Sequence, residues 1–144
     1  MNLSHLPLRV ALGAYILNSG VSKWTLEGES AEGLHGMAAG AVPALKRFDA
    51  RTFARLLAGT EITLGAALLL PVIPSALVGA GLVGLGGGLM RLYWVTPGLR
   101  RPNDVRPTEQ GTGIAKDSWL LGAGLTMILD DVVHRGHRMR RRRR

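Results

Sequence analysis

The sequence predicts an all-α membrane protein: four transmembrane helices in an antiparallel bundle, with a short interfacial helix between the first and second. Three observations predict it. Charged residues, 19% of the chain, gather between long apolar stretches instead of being mixed through them, and they hold the mean hydropathy to +0.16. From Phe53 to Trp94 two apolar runs stand back to back, hinged at the uncharged Pro71-Val72-Ile73-Pro74, and each fits the roughly 17 to 25 residues of a bilayer crossing. The basic residues behind the net charge of +8 and pI of about 11.3 flank these runs and end in five arginines, which points to lipid phosphate rather than nucleic acid as counterion.

The first span is Leu8 to Trp24. Pro7 suits the first helical turn, where its missing N–H is not needed, and Arg9 precedes the apolar core. Asn18-Ser19-Gly20 is a poor cleavage site, so an uncleaved span is expected rather than a signal peptide. Lys23 and Trp24 suit an interfacial anchor, with the ammonium snorkelling outward and the indole among headgroups. Thr25 to Thr52 is too polar to cross. Its Leu34, Met37, Ala38, Ala41, Val42 and Leu45 recur at helical spacing, a face suited to the membrane interface.

Phe53 to Ile73 forms the second span and Pro74 to Trp94 the third. Ala76, Ala80, Gly84 and Gly88 fall at successive i+4 positions, a groove where another backbone could pack closely. A proline-containing surface loop runs from Val95 to Gly113. The fourth span, Ile114 to Val133, opens with Lys116 and Asp117 and carries Ser118, Gly122, Thr126 and Asp130 at i+4 spacing, a stripe expected to face protein. Residues 1–133 thus form the transmembrane domain and residues 134–144 a basic tail. In that tail Arg140, Arg141, Arg142, Arg143 and Arg144 are expected to bind anionic lipid. Four spans put both termini on one side, and the arginines make that side cytoplasmic under the positive-inside tendency. The expected location is the plasma or inner membrane.

Chemistry centres on Glu61, which counted from Phe53 lies roughly 12 Å inside one boundary, deep enough to need a partner from another helix. Asn18, roughly 9 Å in from the same boundary, can offer a hydrogen bond, and Lys23 an ion pair; Asp117 opens the fourth span on that side. Two readings of the cluster stay open. One is a pocket holding a proton-exchanging carboxylate or a quinone ring; the other is a buried bond that fixes helix packing. With no cysteine, thiol catalysis, disulfides and thiolate metal sites fall outside this chain's reach. His5, His35, His134 and His137 include no pair placed to clamp haem between spans. There is no phosphate-binding glycine loop, nucleophile elbow or metal-binding helix motif, so no catalytic or metal residue is assigned.

Three segments together resemble the DoxX family of small four-helix membrane proteins. They are Asn18-Ser19-Gly20-Val21-Ser22-Lys23-Trp24, the glutamate-bearing stretch Ala58-Gly59-Thr60-Glu61-Ile62-Thr63-Leu64-Gly65-Ala66, and Ala115-Lys116-Asp117-Ser118-Trp119-Leu120-Leu121-Gly122-Ala123-Gly124. The resemblance implies a compact four-helix bundle with an interfacial helix after the first span. It also implies redox work, since relatives include subunits of thiosulfate:quinone oxidoreductase. The leading expectation is an accessory subunit, non-catalytic alone, that packs against a larger respiratory or redox complex in the bilayer. A quinone-interacting oxidoreductase subunit built on Glu61 and a small-solute or proton conduit are the alternatives.

Overall fold

Local chemistry sets where each helix begins and ends in the computed structural model, which describes the backbone of residues 3–142 and the side chains of residues 4–133. After a single 3-10 turn, α1 runs Leu6–Trp24 with Pro7 in its first turn. Helix α2, Gly28–Ala41, is entered through Gly28 at φ +61°, a backbone angle that glycine adopts without steric cost. Pro43 cannot continue it and opens a 3-10 stretch, Pro43–Arg47. Asp49 caps α3, Ala50–Leu69, by accepting the Thr52 N–H at 2.9 Å. Pro71 and Pro74 separate α3 from α4, Ser75–Val95. The one-turn α5, Thr112–Ala115, precedes α6, Ser118–Arg142. No β-strand occurs among the described residues; one isolated bridge, Arg100 with Pro107, ties the loop before α5.

Helices α3 and α4 are each long and apolar enough to cross a membrane. Helix α3 starts at Ala50 and stops at Leu69, short of the expected Ile73, because the Pro71–Pro74 segment has turned away from helix. The fourth apolar run begins its long helix at Ser118 rather than Ile114, which lies in α5. Helix α6 passes Val133 without a break, so the boundary expected there falls inside a helix.

The helices pack as two antiparallel pairs, α1 along α3 and α4 along α6. Glycine makes the close approach. A Cβ on Gly65 would stand 2.6 Å from the Leu17 amide nitrogen, and one on Gly20 would stand 2.8 Å from the Ala58 carbonyl. In the other pair Gly79 and Gly124 face each other, each added Cβ falling 2.8 Å or less from the partner's carbonyl oxygen. Gly13 with Gly20 and Gly79 with Gly86 are each a heptad apart, the repeat that keeps one face against a gently crossing partner.

The glycines that join helices within the chain are thus not those of the expected stripe, which stays open. A methyl added at Gly84, Gly88 or Gly122 would meet nothing within 4 Å, and Ala80 is exposed, so within this chain these positions pack against no helix. Ala76 is half-buried at the start of α4. Ile16, Leu64, Leu68, Val78, Leu82, Leu120 and Met127 form the apolar core that joins the two pairs. A second cluster of Ala38, Ala41, Phe53, Leu92, Tyr93 and Leu99 seats α2 against the ends of α3 and α4. Arg91 fastens it by donating Nε–H to the Ala41 carbonyl at 2.8 Å.

Candidate functional site

Along α1 the residues that meet α3 include Arg9, Gly13, Ile16, Gly20 and Lys23, spaced four, three, four, three. The stripe puts a cation near each end of the helix, with small or apolar residues between. Each cation finds a different partner.

At the α2 end, Lys23 donates from Nζ to Glu61 Oε2 at 2.9 Å and to Ser19 Oγ at 2.5 Å. Glu61 is buried, 6% exposed, and sits roughly 16 Å from the start of α3, near the helix midpoint. Side chains lean toward the N-terminus of their own helix, so the Lys23 stem folds back over Ser19 and delivers its ammonium inward rather than to the headgroups. Gly20 makes room, since a Cβ there would lie 2.9 Å from the Glu61 Cβ. Trp24, beside it, does stand exposed as an anchor would.

Asn18 does not join this cluster. It is exposed, and its backbone carbonyl accepts from the Ser22 hydroxyl at 2.9 Å. Two residues before Gly20, it is turned roughly 200° around α1 and faces away from α3. Asp117 lies between α5 and α6, within electrostatic range of Lys23 and Glu61. Its Oδ1 is buried without a hydrogen-bond partner. Lys116 beside it stacks over the Tyr15 ring at 5.6 Å.

The opposite end holds a cluster that sequence reasoning missed. Arg9 is 1% exposed. Its Nε donates to the Leu68 carbonyl at 2.9 Å, Nη2 to those of Ala67 at 3.0 Å and Leu70 at 2.7 Å, and Nη1 to that of Ile73 at 3.0 Å. The last carbonyls of a helix have no intrahelical donor and carry its negative dipole end, so one planar guanidinium here both caps α3 and pins the turn into α4. Arg9 Nη1 and His5 Nδ1 both lie 3.4 Å from the Ser75 hydroxyl, and His5 Nε2 lies 3.1 Å from Asp130 Oδ2. The start of α1, the end of α3, the start of α4 and the middle of α6 thus meet in one polar knot. The four-three spacing of the α1 stripe was a signal that could have found Arg9, because it puts Arg9 on the face of Lys23.

His35, the other described histidine, is occupied locally, its Nε2 3.0 Å from the Leu45 carbonyl and its ring 5.4 Å from that of Phe53. Among the described residues no three metal-ligating side chains converge. The side chains of His134, His137 and Arg140 to Arg144, where lipid binding was expected, lie outside the described residues.

A groove of about 1040 Å³ lies between α3 and α4, closed at one end by α2 and walled almost wholly by apolar side chains. A shallower one of about 520 Å³ lies between Trp24 and Ile62. Neither is lined by Glu61, Lys23 or Asp117. No family model, curated protein or solved structure matches the chain. In this arrangement Glu61 accepts a charge-assisted bond from another helix and lines neither groove, the geometry of a clasp.

Proposed function

We propose that the chain is a DoxX-like, multi-pass membrane protein in which α1, α3, α4 and α6 cross the bilayer as a four-helix bundle with both termini cytoplasmic, and that it serves as an accessory subunit of a larger respiratory or redox membrane complex. Membrane crossing by more than α3 and α4 is supported by the outward faces. Val10, Tyr15 and Val21 on α1 and Trp119, Leu125, Leu129 and Val132 on α6 are all exposed, large apolar side chains on the outer faces of both helices, as lipid-facing helices would carry them.

The observation that carries the accessory reading is the internal pairing of the ionisable groups between helices: Lys23 with Glu61, Arg9 with the α3 carbonyls, His5 with Asp130. These groups are spent on holding helices together, and none of Lys23, Glu61, Arg9, His5 and Asp130 lines the α3–α4 groove. A contact surface is available in the loop before α5, which is pre-ordered. Tyr93 Oη donates to the Val105 carbonyl at 2.7 Å, Thr108 Oγ1 to that of Gly98 at 2.6 Å, and the Arg100 guanidinium lies 4.3 Å over the Trp94 ring. Arg101 and the 67%-exposed Val105 are presented by it.

Purification from native membranes in mild detergent tests this. The expected result is a complex of fixed stoichiometry that survives Glu61→Gln and falls apart with Val105→Asp. A monomer from native membranes would overturn it, as would quinone turnover or proton flux that vanishes with Glu61→Gln.

A further inference from the structure

The α3–α4 groove has a polarity of its own. Its wall runs along α3 from Phe53 to Ala67 and along α4 from Leu77 to Leu92, roughly 22 Å, most of the depth of a hydrocarbon core. One end lies under α2; the other ends at Ile73 and Leu77, with no charge. The single ionisable side chain in its wall is Arg55, in the second turn of α3 at the α2 end, and among the described residues it has no ion pair or hydrogen bond. An arginine stem there lies along the apolar wall and carries its head outward, toward the start of α3. Gly84 and Gly88 leave the opposite wall open.

We propose that this groove seats one anionic glycerophospholipid, its phosphate on Arg55 and an acyl chain along the Gly84 and Gly88 wall. The inference rests on the membrane reading above. Charge complementarity selects the occupant: an unneutralised guanidinium at one end and an apolar channel running away from it match a molecule with an anionic head and a hydrocarbon tail. A partner helix would meet the channel but would leave the guanidinium unpaired. The guanidinium fork suits phosphate oxygens in a way a point charge does not. The volume is at the upper end of the roughly 300 to 1,000 Å³ of small-molecule sites, which suits a single lipid.

The test uses the full chain. Native mass spectrometry of protein purified in mild detergent should show one retained anionic phospholipid per chain. In nanodiscs, a nitroxide attached at Ala80→Cys, exposed on α4 beside the groove and outside its lining, and clean because the chain has no cysteine, should sense spin-labelled phosphatidylglycerol about fivefold more than phosphatidylcholine. Arg55→Gln should level that preference. Gly84→Phe, with the unfolding midpoint unchanged, should expel the lipid. No headgroup preference in the parent chain, retention in Gly84→Phe, or a disulfide between two Ala80→Cys copies or to another protein in place of lipid would overturn the proposal. A protein that stays soluble without detergent would sink the membrane reading too; a membrane-extracted, lipid-free protein would sink the lipid alone.

Discussion

The Nε of Arg9 and the carbonyl oxygen of Leu68 stand 2.9 Å apart, joining the first turns of α1 to the last turn of α3 across 59 positions of sequence. Removing the guanidinium strands several buried carbonyls at once. Each orphaned acceptor costs about 1 to 3 kcal/mol, so Arg9→Met should destabilise by roughly 3 kcal/mol or more. Arg9→Lys should recover only part, because an ammonium lacks the planar fork. Unfolding midpoints in detergent micelles check both; equal stability of Arg9→Met would refute the capping role.

Lys23 and Glu61 should behave as a coupled pair. Breaking a fully buried ion pair from one side costs about 3 to 5 kcal/mol, and the 24% exposure of Lys23 lowers that to roughly 2 kcal/mol for Glu61→Gln. Replacing both by methionine should come close to neutral, since the desolvation cost goes with the charges. A double-mutant cycle on unfolding free energy reads this, and additive single losses would contradict it.

Glycines of similar sequence setting should differ sharply. Gly65→Ala drives a methyl against the Leu17 backbone and should separate α1 from α3, seen as lost stability and a longer label-to-label distance. Gly84→Ala meets nothing, and the gain in helix propensity should raise stability by up to about 1 kcal/mol. The opposite signs, in one unfolding assay, are the expected outcome.

The α3 cap should be acid-sensitive. The hydrogen bond from Thr52 holds the Asp49 carboxyl below the ordinary carboxylate value. A carboxylate lowered by folding contributes stability above its unfolded value and loses it as pH falls through the folded one. Protection of the Thr52 amide from hydrogen exchange should therefore decline only in the acid range, below the ordinary carboxylate value. Asp49→Asn, which still caps, should show no such decline.

Helix positions were legible because apolar runs and prolines report them directly; the Pro71 to Pro74 hinge and the α2 face are plain in the sequence, whereas α3 starts at Ala50 behind the Asp49 cap, before the apolar run that opens at Phe53. The packing register was not. An i+4 ladder such as Ala76, Ala80, Gly84, Gly88 rotates roughly 40° per step around a helix and drifts off any single partner, whereas a heptad step such as Gly79 to Gly86 drifts only roughly 20°. Glu61 announced itself as a carboxylate in an apolar run, but the choice between Asn18 and Lys23 turned on which face of α1 meets α3. Arg9 stayed hidden for another reason. Its partners are main-chain carbonyls, which every residue has and no sequence pattern marks.

That last feature sets an order of events during synthesis. Arg9 leaves the ribosome early, while its acceptors at Ala67, Leu68, Leu70 and Ile73 come 58 to 64 residues later. Until they are made, the guanidinium on α1 has none of these four acceptors. Of this pair the helix made earlier is thus secured later: α3, once folded, supplies the carbonyls that satisfy the guanidinium of α1.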